Sequence, residues 1–343
     1  MDLKAEDEIA QVKMQHPHVV IVGAGASRAA FPEGERCGRR LPLMCDFAEI
    51  VPVQGILEGA GLDWQGRNFE DVYAELAEDP NRKSVRLELE RAVYEYFASL
   101  GLPDTPTIYD HLVLSLRNKD VIATFNWDPF LIQAFRRNSR AVASLPRLLF
   151  LHGNVLAGHC LKDEVLGVSG NRCSQCGKPF EPSRLLYPVA NKSYRSDPMI
   201  ASTWHEIEIH LRSAFMVTVF GYGAPASDAA AIELLSTAWG RPEDRYMEQV
   251  EIIDIKPEDE LGEAWDRFIN THHYEVHTDF YESWIATHPR RTGEAYLNQY
   301  IDACFIEENA IPKTADLPTL WRWLRPLLQA ERVPAQDSDH ESK

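Results

Sequence analysis

The chain has 343 residues, 45% of them hydrophobic and 25% charged, with a formal net charge of −17. That length and balance suit an ordinary globular protein of one large or two average domains, either able to bury a full core. The acidic excess excludes broad, non-specific nucleic-acid binding, since phosphate would be repelled over most of the surface; Arg136, Arg137, Arg140 and Arg147 are the obvious candidates for a local basic groove.

Residues 1–17 are polar and expected to fray. With Asp2, Glu6, Asp7 and Glu8 they have neither the charge nor the apolar core of an export signal. No later stretch approaches the roughly 20 apolar residues of a membrane span, so a cytoplasmic protein with no membrane contact is expected. His18 to Val22 is a short apolar, β-branched run ending in glycines, which predicts a buried strand running into a helix. From Pro32 to about Thr105 the pattern is broken by Pro and Gly and then turns helical, with an amphipathic helix over Ser84–Leu100. Asp120–Thr124 and Arg147–Leu151 are two more short buried strands, each ending on a polar motif. A helix over Pro129–Arg137 lies between them, opened by a proline suited to the first turn.

Residues 154–182 lose all periodicity and carry glycines and cysteines, as a small metal-organised insert would. A helix near Ile200–Ser213, a strand at Phe215–Phe220 and a helix at Ser227–Trp239 follow, with Asp228 near the start of the last. Val250–Asp254 is a strand ending in an acid. Helices are expected near Leu261–Asn270, Tyr281–His288 and Gly293–Phe305, with Tyr274–His277 an edge strand between them. Strands alternating with helices predict an α/β fold built on a doubly wound, Rossmann-like parallel sheet. We expect one discontinuous domain over 15–310, interrupted by a helical module at 33–106 and a zinc ribbon at 156–182. A C-terminal helix at 311–330 and a disordered tail at 331–343 complete the chain.

Gly23-Ala24-Gly25-Ala26-Ser27 sits between the first strand and its helix, where backbone N–H groups and a helix N-terminus can meet a diphosphate. The dinucleotide fingerprint wants a third glycine, but Arg28 stands there, and residues 32–45 do not supply the second strand ending in an acid. A standard dehydrogenase is therefore disfavoured. Thr124-Phe125-Asn126-Trp127-Asp128-Pro129 closes a strand at its carboxyl end, where ligands of open α/β sheets sit; Asp128 before Pro129 is equally a good helix cap. His152 ends the strand before it, a position more often structural than catalytic. Neutral imidazole there could take a proton from water or a ribose hydroxyl. Cys173-x-x-Cys176-Gly177 reads as one knuckle of a zinc ribbon. Six cysteines, two of them in this pair, with no export signal favour metal over disulfides. Cys160, Cys173 and Cys176 are expected to bind a structural Zn²⁺, with Asp163 or His159 as fourth ligand. A degenerate ribbon without metal is the bland alternative.

Taken in order, these motifs, with Leu151-His152-Gly153 and Gly221-Tyr222-Gly223, resemble the sirtuin (SIR2-like) family, which binds NAD and breaks its nicotinamide–ribose bond. The resemblance implies a sirtuin-type fold and NAD⁺ as substrate. It implies that Asn126 sits beside the scissile ribose, that Asp128 holds the nicotinamide amide and that His152 is the catalytic base. Gly23, Ala24, Gly25, Ser27, Thr124, Gly221, Tyr222 and Gly223 would line the cofactor cleft. Asp254 would hold the adenine ribose and disfavour a 2′-phosphate. The family's Gly-Ile-Pro-Asp-Phe-Arg segment and its peptide-pairing Val-Val-Phe-Gly-Glu strand are altered here. The Pro188-Val189-Ala190-Asn191-Lys192-Ser193-Tyr194 stretch looks like divergent SIR2-like proteins of bacterial anti-phage defence, which hydrolyse NAD outright. An NAD⁺ glycohydrolase is therefore expected before a protein-lysine deacylase or a non-catalytic NAD or ADP-ribose sensor. Control by homo-oligomer assembly or by a partner protein such as an ATPase is the accompanying expectation.

Overall fold

Six short strands join in one parallel sheet: β1 (His18–Val22), β2 (Val121–Thr124), β3 (Arg147–Phe150), β4 (Met216–Phe220), β5 (Gln249–Ile253) and β6 (Tyr274–His277). Their order across the sheet is β6-β5-β4-β1-β2-β3, every pair parallel. β1 and β4 are buried at every position, which is why they read as unbroken apolar runs instead of alternating ones. From β1 the chain winds outward through β2 and β3, then returns to the other side of β1 for β4, β5 and β6. The order therefore reverses between β1 and β4, and a crevice opens at their carboxyl ends. This computed structural model describes residues 2–189, 194, 197–245, 247–269 and 273–332.

Successive strand residues point to opposite faces, and each face has its own core. Val19, Ile21, Val121 and Val217 pack against α4 (Pro198–Ser213) and α5 (Ala229–Trp239) through Trp204, Ile207, Leu235 and Trp239. Val20, Val22 and Ile122 face the other way, toward α1 (Ala24–Ala30), α2 (Ile108–Leu114) and α3 (Phe130–Asn138). Helix α4 starts where Asp197 accepts the N–H groups of Met199 and Ile200, ahead of Pro198 in the first turn.

The module expected at 33–106 consists of helices Phe47–Ile50, Gln54–Gly59, Phe69–Glu78 and Lys83–Ala98. It joins the sheet through an aromatic cluster: Phe47 stacks on Phe69 at 4.0 Å, and Phe97 meets the Trp127 ring edge-on at 5.8 Å. The insert at 156–182 is more ordered than its sequence pattern implied. Its three antiparallel strands, Val165–Val168, Ala157–Cys160 and Glu181–Pro182, are too short to show a period.

Other expectations need correction. Residues 2–10 do not fray: Asp2–Leu3 pairs in parallel with Phe305–Ile306, and Ala5–Ala10 is a helix. Buried Glu8 holds them through the His288 ring nitrogen at 3.0 Å. The long helix expected over Gly293–Phe305 stops at Tyr296, continues as a wide turn over Leu297–Ile301 and ends in that strand. The helix expected over Tyr281–His288 is split into a 3-10 turn at Phe280–Glu282 and a short helix at Trp284–Thr287. The helix near residue 261 spans Glu258–Ala264, and its expected end at Asn270 lies outside the described residues. Helix Leu317–Ala330 buries Leu320, Leu324 and Leu327 in the same core as the helical module. Of the expected tail, residues 333–343 lie outside the described residues. The basic groove also loses members: Arg137 is held by Asp110, and Arg147 pairs with Glu206. Among the described residues, no helix is long and apolar enough to cross a membrane.

Candidate active site

The crevice at the switch point holds a cavity of about 570 Å³. Its floor is made where the two glycine turns meet. Gly25 donates its N–H to the Gly221 carbonyl at 2.9 Å. Gly221 has φ +60°, and a Cβ there would lie 2.1 Å from the Ala26 nitrogen. Only glycine permits this approach. One N–H of the first turn is thus committed to holding the second turn, a contact that the sequence does not show.

The Asn126–Asp128 motif, carried by the carboxyl end of β2, enters beside this floor. The Asn126 amide donates to the Gly23 carbonyl at 2.8 Å and lies 3.1 Å from the Ser27 hydroxyl and 3.3 Å from that of Tyr109. The Ser27 hydroxyl in turn donates to the Asp128 carboxylate at 2.6 Å. Asp128 also accepts the Phe130 N–H at 3.2 Å, although the residue that caps α3 is Pro129 and not Asp128 as expected, and Asp128 lines the cavity. Burial pushes the Asp128 carboxyl up to about 6, against the pull of Ser27 and of that N–H. Burial likewise drives the Tyr109 phenol well above its ordinary range, leaving it a neutral hydroxyl beside Ser27. Of the expected cleft residues, Gly23 and Thr124 do not line the cavity: the Gly23 carbonyl is taken by Asn126, and Thr124 is buried behind the motif, its hydroxyl accepting the Asn126 N–H at 3.0 Å.

His152 reaches the cavity from the end of β3. Phe125 lies edge-on to its ring at 4.7 Å, and Tyr194 stacks on it at 5.9 Å. The Asp228 carboxylate is 3.7 Å from Nε2. Asp228 arrives on the turn before α5 and accepts the Tyr222 hydroxyl at 2.8 Å. The Tyr222 ring lies flat on Phe125 at 4.0 Å. At the far end, Asp254 follows β5, its backbone held by the His277 carbonyl, and its carboxylate accepts the Lys256 N–H at 3.1 Å. Lys256 and Arg28 bring positive charge to the same cavity.

Several of these residues escaped sequence reasoning. Asp228 was visible only as an acid near a helix start. Tyr109 lies in α2, a helix that the sequence reading did not place and that is buried from Tyr109 to Leu114. Asn154, two residues past His152, donates to the Asp128 carbonyl at 2.6 Å and so fixes the motif from behind. It had no signal of its own.

Away from the cavity, Cys160, Asp163, Cys173 and Cys176 bring one ligand atom each to within 4.8 Å of one another. The Asp163 carboxylate lies 3.2 Å from the Cys160 sulfur and 3.1 Å from that of Cys173. Gly177, at φ +73°, returns its N–H to the Cys173 carbonyl, the tight turn expected under a metal. Three thiols and a carboxylate in this closed arrangement are a donor set for Zn²⁺. Next to that carboxylate the Cys176 thiol is pushed up to about 12, a cost that a bound cation would reverse. His159 precedes Cys160 on the strand, so its side chain leaves by the opposite face and is not among the clustered ligands.

No protein-family model matches the chain, and a search of curated proteins finds no relative. Solved structures similar to it include a Sir2 homologue mutant in complex with ADP-ribose, at 14% identity and TM-score 0.39 over 94% of this chain and 96% of that one. A Sir2 homologue–NAD complex is 12% identical, at TM-score 0.40 over 95% and 93% of the two chains. A structure of Sir2 bound to acetylated peptide is 15% identical, at TM-score 0.32 over 70% and 82%. Likenesses this distant say nothing of chemistry, which has to come from the side chains.

Proposed function

We propose that the chain is an NAD⁺ hydrolase that releases nicotinamide and ADP-ribose. The observation that carries this reading is the linear order of groups in one cavity. Asp254 follows β5, the paired glycine turns follow β4 and β1, Asn126 and Asp128 follow β2, and His152 follows β3, which is their order across the sheet. That order suits adenine ribose, diphosphate and nicotinamide ribose in turn. In this reading Asp254 accepts from the ribose hydroxyls, while the helix start at α1 faces the diphosphate. Asp128 accepts from the nicotinamide amide. His152 takes a proton from water as its oxygen bonds to the anomeric carbon. The bond to nicotinamide breaks in the same event, and its electron pair neutralises the pyridinium ring.

Water is favoured over an acyl-lysine because the wall beside Asn126 is closed by bulk. Trp127 packs against Phe47, Phe97 and Tyr187, which fills that side with aromatic rings. Cys160, Asp163, Cys173 and Cys176 would hold Zn²⁺ in a structural role, since all four donors come from the protein and none faces the cavity. A part in bacterial anti-phage defence, control by homo-oligomer assembly and a regulatory partner such as an ATPase belong to the same proposal. The defence role rests on the stretch from Pro188 to Tyr194, of which residues 190–193 lie outside the described residues, and the two modes of control accompany that role. The deciding experiment follows nicotinamide from NAD⁺ with and without an acetyl-lysine peptide. Release without peptide is expected. Release only with peptide would make the chain a deacylase, and none in either case would make it a sensor.

A further inference from the structure

His152 follows β3 and Asp228 arrives on the turn before α5, yet the ring and the carboxylate are neighbours inside the cavity. We propose that Asp228 is a positioning residue for His152, its carboxylate fixing the ring and stabilising the imidazolium formed when the histidine takes its proton. The inference rests on the hydrolase reading above and assigns a role to a residue that the motif pattern leaves without one.

Three observations support the pairing. First, the Asp228 Oδ1 to His152 Nε2 separation is 3.7 Å with both side chains at most 7% exposed. Water screening is weak at that burial, so a proton gained by the ring is felt strongly by the carboxylate. Second, Asp228 is itself held. Its other oxygen accepts the Tyr222 hydroxyl at 2.8 Å, and the Tyr222 ring is locked flat on Phe125. Phe125 also contacts the histidine, so one aromatic ring registers both members of the pair. Third, the turn that delivers Asp228 begins at Gly221, which is locked onto the first glycine turn. The acid is therefore placed relative to the same floor as any bound substrate.

Two tyrosines stand with the pair among the described residues. Tyr194 and Tyr222 are both phenols driven up by burial and by the Asp228 charge, so they stay neutral. Among the described residues, Asp228 is a charged group set against the ring, at 3.7 Å. A carboxylate beside an imidazole favours the protonated ring. In the catalytic cycle the ring must start neutral, take the proton of the attacking water and return it to solvent. The carboxylate makes that uptake easier and keeps the accepting nitrogen in one orientation.

The test measures nicotinamide release against pH for the wild-type chain, Asp228→Asn and Asp228→Glu. Asp228→Asn keeps the shape and removes the charge. The expected result is a fall in kcat of roughly 10- to 100-fold with little change in KM. The acidic limb of the profile should also move down by about one pH unit, because the ring loses its partner and deprotonates earlier. Asp228→Glu should restore the position of that limb. A limb that stays in place in Asp228→Asn would overturn the proposal, whatever happens to kcat. If the wild-type chain cleaves no NAD⁺, the hydrolase reading fails. The pairing is then judged by NMR titration of the His152 ring in wild type and Asp228→Asn, where unchanged midpoints refute it.

Discussion

Ser27 at the start of one helix donates its hydroxyl to the Asp128 carboxylate at the start of another, at 2.6 Å. The bond ties the first glycine turn to the motif that ends β2, and Tyr109 and Asn126 close the same network. A substrate bridging the two turns would meet a wall already assembled.

That network makes a pH prediction. Asp128 has its carboxyl raised from 3.8 to about 6 by burial. A raised carboxyl binds its proton more tightly in the folded chain than in the unfolded one. Its contribution to stability is therefore complete below about 4 and is lost as pH rises through about 6. The swing is of the order of 3 kcal/mol. Asp128→Asn removes the titrating group, so relative to wild type the variant should gain stability between about pH 4 and pH 7. Urea unfolding at both ends of that window checks it; a difference that does not change with pH contradicts the assignment.

His152→Ala should abolish most NAD⁺ cleavage, a loss of about 10²–10⁴ in rate, while the chain stays folded and still shows a thermal shift with ADP-ribose. Asn126→Ala should behave less cleanly. Its amide donates to the Gly23 carbonyl, so truncation also costs about 1–3 kcal/mol of stability. Unfolding curves beside the nicotinamide assay separate the two effects. Near-full cleavage by folded His152→Ala would remove the histidine as base.

Elemental analysis of chain purified without chelator should find about one Zn²⁺ per chain. Asp163→Ala should lose most of that metal, and His159→Ala should keep it. The reverse pattern would mean that the ribbon rearranges to bind through His159.

For cofactor choice, NAD⁺ should be used at least about tenfold better than NADP⁺, or about 1.4 kcal/mol. Lys256 lies two residues from Asp254 in the same cavity and would attract a 2′-phosphate. Lys256→Ala should therefore widen the preference and Asp254→Ala narrow it. Competition kinetics with the two nucleotides measures both, and equal use by wild type would show that Asp254 points elsewhere.

The sheet was legible because its strands are short buried runs stopped by a glycine or a polar motif. His18–Val22 and Tyr274–His277 were placed to the residue, and the other strands to within one or two. Elements shorter than about two helical turns were not legible: Phe47–Ile50 and Gln54–Gly59 show no period, and Pro and Gly interrupt them. The ribbon strands failed for the same reason. In the cavity, residues on strand-end motifs were visible, because a polar run closing a buried strand is locally unusual. Tyr109, Asn154 and Asp228 were not, because their significance lies in partners far along the chain. Asn154 is conspicuous only once the Asp128 carbonyl is seen beside it.

The pairing of Asp2–Leu3 with Phe305–Ile306, beside the Glu8–His288 contact, bears on when such a chain can act. β1 at the sheet's centre takes one neighbour about a hundred residues later and the other about two hundred later. The segment that leads into β1 is itself fastened by residues that follow it only much later in the chain, His288 and Phe305–Ile306. Contacts this distant close late in folding. A chain emerging from the ribosome thus lacks half of its cleft until β4 appears, and lacks its fastening until residue 306. A cleft assembled this way is incomplete until those later residues have been made.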